Sequence, residues 1–397
     1  MPVDPESDAG WYFSRARDLA AGNGYAEGGH PTAYWPVGYP AFLAALFSVF
    51  NSSVLVGQLA NLVLAAATFP LLYAVAKQTL QSETAARLAL LLLAVYPNNI
   101  AYVALLLTET LFTFLLLLAT WLLLKSRGII WLLAAGLTFG LATLVKSQTI
   151  LLIVPVVVLA GWARWSWAPL WTGIGRSVVV LVAAAAVVAP WSWRNYLVFG
   201  EWVMVSTNGG MALLCGNNPS VVGDYWRDFS CDDPIFDGVK FSVEDQLAAD
   251  RRARARAFQW IRDNPGDFVG MFPKKFFRLW APDGEAEWAY QLGSPLYDEN
   301  VLAFRTVRIA NQVLYTFVLI AAAAMLVIAA IRGAPPLVFL GAAIAAVHTA
   351  VSLVFSGQSR YHFPTMPFLI MYAAWFAVWL MSARRQELLA RLIAPRR

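Results

Sequence analysis

Asp8, Glu109, Lys146, Arg194 and Arg360 are the residues of this 397-residue chain whose types and placement could do chemistry. Asp8 stands in the polar, aromatic stretch Asp8-Ala9-Gly10-Trp11-Tyr12, ahead of every hydrophobic segment. That stretch continues through Gly22-Asn23-Gly24-Tyr25 to Ala33-Tyr34-Trp35-Pro36-Val37-Gly38-Tyr39-Pro40. A carboxylate among aromatic rings and rigid turns suits a sugar: the carboxylate takes a hydroxyl proton, and Trp11, Tyr12, Tyr34, Trp35 and Tyr39 offer stacking faces. The competing readings are a helix N-cap for Asp8 and interfacial anchors for the rings. Glu109 lies in Leu107-Thr108-Glu109-Thr110-Leu111 with apolar residues on either side. A carboxylate at membrane depth is costly, and is either a hydrogen-bonded strut between helices or part of a site. Lys146, Arg194 and Arg360 fall at the ends of apolar segments, where three cations on one face would suit an anionic head group. The forked guanidinium matches phosphate oxygens better than the lysine ammonium does.

The elements that must position these residues are membrane spans. The composition, 59% hydrophobic and 13% charged, excludes an ordinary soluble protein. A span needs about 20 apolar helical residues. The sequence predicts an all-α polytopic membrane protein of about nine spans, near Leu55–Ala76, Ala86–Ala104, Leu106–Leu124, Ile129–Val145, Thr149–Trp162, Ser177–Trp193, Thr306–Ile331, Pro335–Phe355 and Pro364–Met381. Pro40–Phe50 is too short to cross and is expected in the interface. The organisation is an external loop (1–53), a six-span bundle (54–195), a large external loop (196–305), and three further spans with a basic tail (306–397).

Lys77, Arg87, Lys125, Arg127, Arg164, Arg176 and Arg332 fall in one set of loops, and the tail adds Arg384, Arg385, Arg391, Arg396 and Arg397. The opposite set holds only Lys146 and Arg360 in its short loops. The first set is therefore cytoplasmic and both large loops lie outside. This bias accounts for the net charge of +5 without a nucleic-acid partner. Nothing in Met1–Tyr39 could carry the N-terminus across a membrane. Either the following hairpin helps it across, or a first helix precedes Asp8 beyond this sequence; the second is the expectation.

In the large loop, Ser206-Thr207-Asn208-Gly209-Gly210 and Cys215-Gly216-Asn217-Asn218-Pro219 are turn formers that suit backbone close to a ligand, with Asn208 and Asn217 as candidate sugar or acceptor contacts. A helix is expected from Ser242, with Asp245 completing a capping box. The amphipathic stretch Phe268–Trp280, carrying Lys274, Lys275 and Arg278, is expected on the membrane surface. His30, His348 and His362 are too scattered to form a metal-ligand pattern. His348 reads as an interhelical hydrogen-bonding residue, and His362 as a further phosphate contact beside Arg360. Asp8 and Glu109 could share a divalent cation, although hard cations usually take more oxygen ligands. Cys215 and Cys231, both in the outer loop, are permitted a disulfide there.

The stretch Asp8 to Pro40, Tyr96-Pro97 with Leu107-Thr108-Glu109, Pro190-Trp191-Ser192-Trp193-Arg194-Asn195, the turn-rich runs at Ser206–Gly210 and Gly216–Pro219, and Arg360-Tyr361-His362-Phe363-Pro364 together resemble bacterial glycosyltransferases of family 39. These are GT-C membrane enzymes, related to the protein O-mannosyltransferases and the aminoarabinose transferase of lipid A. The resemblance implies a GT-C-like bundle and inverting transfer from a polyprenyl-phosphate sugar donor to a glycan, lipid or protein acceptor outside the cytoplasm. It implies Asp8 as catalytic base, matches Thr108-Glu109 to the family's threonine–glutamate pair, and places Arg194 and Arg360, with Lys146 less firmly, on the lipid phosphate. Two departures stand against it: the family has a span before the aspartate, and many members have proline where this chain has Ser147. The rival readings are a lipid-linked-sugar transporter or flippase and a non-catalytic envelope-assembly protein. Transporters place their charges at the bilayer midplane between repeats, whereas here they cluster at outer span ends.

Overall fold

A computed structural model describes residues 3–125, 128–223 and 242–382. The basic tail, Arg127 and Cys231 lie outside these residues, as does any pairing of Cys231. The described chain is helical apart from one two-residue hairpin, in which Ala26–Glu27 pairs antiparallel with His30–Pro31. Gly28 and Gly29 form its turn at φ of +58° and +85°, a two-residue connection that needs positive φ at both central positions, which glycine adopts without strain.

Every expected span corresponds to helix. Six helices are long and apolar enough to cross a bilayer: Val54–Leu80, Thr108–Lys125, Trp167–Phe199, Val301–Ile331, Pro336–Val354 and Ser359–Met381. The expected second span is a helix pair, Glu83–Ala94 and Pro97–Val103, bent by 58°. Pro97 explains the break: it holds Tyr96 in extended backbone and opens the next helix at its first position. The expected fourth and fifth spans are shorter apolar helices, Ile129–Val145 and Ser147–Gly161. Ser53 and Ser82 cap two of the helices, each accepting from the amide three residues on, Val56 and Ala85. Gly200, at φ +70°, ends the helix Trp167–Phe199.

That last helix carries aromatic residues at both ends. Trp165, Trp167 and Trp171 are exposed at one end, and Trp193, Tyr196 and Trp202 at the other. Trp171 and Trp193 are separated by roughly 33 Å at 1.5 Å per residue, close to the thickness of a hydrocarbon core. The two aromatic clusters are thus spaced as interfacial belts. Gly136 and Gly140 let the helix Ile129–Val145 close onto this one. A Cβ at either position would come within 2.7 Å of the carbonyl oxygens of Val180 and Ala184, the close approach that a small-residue stripe permits.

The elements outside the long apolar helices sit at the Trp193 end. The first helix runs Ser7–Ala20 and buries Ala9, Tyr12 and Ala16. It packs on the short helix Gly38–Phe47, with the Phe13 and Phe47 rings 5.6 Å apart. Gly38 in turn lies against the backbone of Leu144 and Val145, which brings the first loop to the end of the helix that precedes Lys146. In the second loop the helix starts at Gln246 and runs to Asp263, four residues later than expected. Ser242 caps the preceding turn instead, its hydroxyl accepting from the Asp245 amide at 3.2 Å. The amphipathic stretch divides into Pro265–Gly270 and Phe272–Leu279. Phe276 and Phe277 are exposed there, but Lys275 is buried.

Candidate active site

The first helix, the end of the third expected span, the Lys146 turn and the start of the last span converge on four charged side chains. Glu6 occupies the N-cap position and makes no side-chain cap, so Asp8 falls in the first helical turn. Capping is therefore not the role of Asp8. Its Oδ2 pairs with Arg360 Nη1 at 2.7 Å, and both side chains are about three-quarters buried. Arg360 opens the 3-10 turn Ser359–Thr365, which leads into the helix Met366–Met381. The Arg360 Nε is buried without a hydrogen-bond partner, so the pairing with Asp8 leaves donor capacity in the fork.

Glu109, in the first turn of its helix, is buried. Its Oε1 accepts from Lys146 Nζ at 3.1 Å and its Oε2 from the Thr108 hydroxyl at 3.2 Å. This is the partner that sequence proximity did not reveal. Lys146 also lies over the rings of Phe112 and Tyr361, each at 5.9 Å, and Arg360 lies 5.6 Å over Tyr361. Both cations thus lie against the Tyr361 ring, and each faces its own carboxylate. Arg360 is an electrostatic neighbour of both carboxylates. The Tyr12 phenol feels Asp8, Glu109 and Arg360, and burial with the two carboxylates holds its pKa well above the ordinary value, so it stays a neutral hydrogen-bond donor.

The other candidate residues make contacts of their own. Arg194 donates to the carbonyls of Thr32 and Tyr25 at 3.0 and 2.9 Å and to Asn195 Oδ1 at 3.0 Å. Its guanidinium, which also lies 4.9 Å over Trp191, fastens the first loop to the span end. Trp11, Tyr12, Trp35 and Tyr39 pack on one another, with centroids 5.0 to 5.8 Å apart. Tyr39 is wholly buried and donates to Asn61 Oδ1 at 3.4 Å. Tyr34 stacks on Trp35 at 6.1 Å. Asn208 Oδ1 accepts from the Ser206 hydroxyl at 2.9 Å. Asn217 is buried, donating to Leu213 and Val354 carbonyls and accepting from Lys275 Nζ at 2.8 Å. His362 is fully buried, with Nδ1 2.6 Å from the Leu279 carbonyl and Nε2 3.2 Å from Asp283 Oδ1. His348 bonds within its own helix, to the Ile344 carbonyl at 3.0 Å, and not across helices as expected.

Each carboxylate of the site faces a cation, and among the described residues no group of three or more His, Cys, Asp or Glu side chains is disposed to hold a metal ion.

Several residues that join the loops and the site turn carried no motif in the sequence. Gln246, buried in the second loop, joins the two external elements: its Oε1 accepts from the Ala33 amide at 2.9 Å and the Thr207 hydroxyl at 3.2 Å, and its Nε2 donates to the Pro31 carbonyl at 3.0 Å. Asp283 gathers Tyr96, Asn98 and Asn311 as well as His362. Glu285 reaches the backbone at Ser359 and Arg360. Asn311, a polar residue inside an apolar span, carried a usable signal. Gln246 and Glu285, in polar loop sequence, did not.

Residues 34–193 match the family model described as dolichyl-phosphate-mannose-protein mannosyltransferase. No curated protein matches the chain in sequence. Among solved structures, the oligosaccharyltransferase AglB of Archaeoglobus fulgidus superposes over 100% of this chain and 48% of its own, at 15% identity and a TM-score of 0.53. The same oligosaccharyltransferase in its apo form matches at 14% identity and 0.51, covering 100% and 49%. ArnT of Cupriavidus metallidurans bound to undecaprenyl phosphate matches at 14% identity and a TM-score of 0.42, covering 95% and 74%. The chain therefore spans about half the length of the oligosaccharyltransferase it matches. In fold along its whole length, and in sequence over residues 34–193, the chain is similar to the GT-C membrane glycosyltransferases.

Proposed function

We propose that this protein is an integral-membrane glycosyltransferase that moves a sugar from a polyprenyl-phosphate donor to a glycan, lipid or protein acceptor on the outer face of the cell membrane. The observation that carries the reading is the convergence of Asp8 with Arg360, 2.7 Å apart, beside the buried pair Glu109 and Lys146. Two carboxylates and two cations at span ends suit transfer from a phosphate-linked sugar. Such a reaction needs a base for the acceptor and compensation for the phosphate charge that develops on departure. A polyprenyl donor places its phosphate at the interface, the level at which the helix ends and the aromatic belt hold these residues. The matching structure of AglB holds dolichol-phosphate and an inhibitory peptide, which fits a lipid-linked donor for this fold.

In this mechanism Asp8 takes the proton of the acceptor nucleophile as the nucleophile attacks the anomeric carbon. The bond from that carbon to the phosphate oxygen breaks, and the polyprenyl phosphate leaves with the electron pair. Attack opposite the leaving group inverts the anomeric carbon. Arg360, with donors to spare, and Lys146 neutralise the departing phosphate. Glu109 orients Lys146, and Thr108 holds Glu109. Arg194 and His362 support the site from behind, the former by fastening the loop and the latter by packing. The outer-face assignment rests on the excess of Lys and Arg in the opposite loops. Transfer of a radiolabelled sugar from a polyprenyl-phosphate donor by the purified chain, and its loss in Asp8→Asn, tests the assignment.

A further inference from the structure

The turn that carries Arg360 has no cap of its own. Gln358, at its N-cap position, makes no side-chain cap hydrogen bond. The cap comes instead from the external loop. Glu285 accepts from the Ser359 amide through Oε1 at 3.2 Å and from the Arg360 amide through Oε2 at 3.1 Å. The same segment grips the turn a second time. His362 Nε2 meets Asp283 Oδ1 at 3.2 Å and Nδ1 meets the Leu279 carbonyl at 2.6 Å. The imidazole stacks between Trp280, at 5.5 Å and 5°, and Tyr315, at 5.1 Å and 19°. Asp283 is itself held by Asn98 at 2.6 Å and Asn311 at 3.3 Å, from two membrane segments.

Residues 279–285 therefore fix the turn through its first two amides and through a buried side chain. One carboxylate spanning two successive amides sets where the Arg360 side chain departs from the backbone. A guanidinium that must meet both a carboxylate and a phosphate tolerates little drift, since misplacement by about 1 Å is enough to cost binding and rate.

We propose that Glu285 is a positioning residue for Arg360, anchored through Asp283, so that the external segment 279–285 sets where the donor phosphate is held. The proposal rests on the reading of Arg360 as the phosphate contact. It also gives the large loop a role at the donor side of the site and not only at the acceptor.

The test uses the full chain in lipid nanodiscs, with undecaprenyl phosphate as the probe. Wild-type protein is expected to bind it. Glu285→Ala is expected to weaken binding by about tenfold, the scale seen when a supporting group behind a ligand-binding residue is removed. Glu285→Gln, which keeps one acceptor oxygen, is expected to lose less and to carry the comparison if the alanine variant does not fold. In an Arg360→Ala background, Glu285→Ala is expected to change nothing further. Unchanged binding in a folded Glu285 variant, or an equal loss with Arg360 already removed, overturns the proposal while leaving the phosphate reading intact. Failure of the wild type to bind overturns the phosphate reading itself, and this proposal with it.

Discussion

Asp8 and Arg360 come from opposite ends of the chain and meet at 2.7 Å. The aspartate rides on the first helix, and the arginine on the turn that leads into the helix Met366–Met381. Neither residue is at membrane depth by its own sequence context, so the pair exists only because the first helix docks over the span ends. Its surroundings repeat the theme, with Lys146, also against the Tyr361 ring, paired with Glu109.

Removing the arginine is expected to act on the donor. Arg360→Ala should raise the donor KM by about tenfold or more, the loss of a charge-assisted hydrogen bond being worth about 1.5–3 kcal/mol. Arg360→Lys should recover only part, because the ammonium lacks the fork. Steady-state kinetics with donor and acceptor varied separately checks this. An unchanged donor KM with a raised acceptor KM would move Arg360 to the acceptor side.

Glu109 and Lys146 are expected to behave as a unit. Glu109→Gln or Lys146→Met alone leaves a buried charge without its partner and should cost about 3–5 kcal/mol. The double variant should cost less than the two singles added together, a non-additivity that thermal unfolding in detergent reads directly. Additive losses would show that the two side chains do not depend on each other.

Lys275 predicts a pH dependence of stability. Its Nζ is buried among the Asn217 side chain and the Leu353 and Val354 carbonyls, and burial pushes its pKa down from 10.5 to about 7. Between pH 7 and 10.5 the unfolded chain holds a proton there that the folded chain has released. Stability should therefore rise with pH across this window, by at most about 1.4 kcal/mol per pH unit. The burial penalty is fully present below pH 7. Lys275→Met should flatten the rise in thermal midpoint between pH 7 and 9; a slope that persists in that variant would assign the dependence to another group.

Arg194 is expected to matter for the loop before it matters for the donor. Its contacts are the Tyr25 and Thr32 carbonyls, so Arg194→Ala should speed amide hydrogen exchange across residues 25–33 several-fold. Unchanged exchange there would contradict the fastening role.

The membrane bundle was legible because span length and hydropathy are properties of contiguous sequence. Asp8 and Glu109 stood out because each is a carboxylate in unusual company. The pairings were not legible, since Glu109 to Lys146 and Asp8 to Arg360 depend on how helices distant in sequence pack. The aromatic packing was hidden for the same reason. Trp11, Trp35 and Tyr39, candidate stacking faces in the sequence, pack with Tyr12 at centroid distances of 5.0 to 5.8 Å, and Tyr39 is wholly buried. The expected span Ala86–Ala104 hid its bend, although Pro97 carried the signal. Gln246 and Glu285 act on backbone groups of other segments, contacts that no local pattern announces.

The most direct measurement of the central claim is sugar transfer by Asp8→Asn. The substitution keeps the size and hydrogen-bonding ability of the side chain and removes its capacity to take a proton. Transfer from a polyprenyl-phosphate sugar should fall by about 100-fold or more, the contribution of a positioned general base, while the variant still binds undecaprenyl phosphate. Transfer within about twofold of wild type, against that same benchmark, would contradict the assignment of Asp8 as the catalytic base.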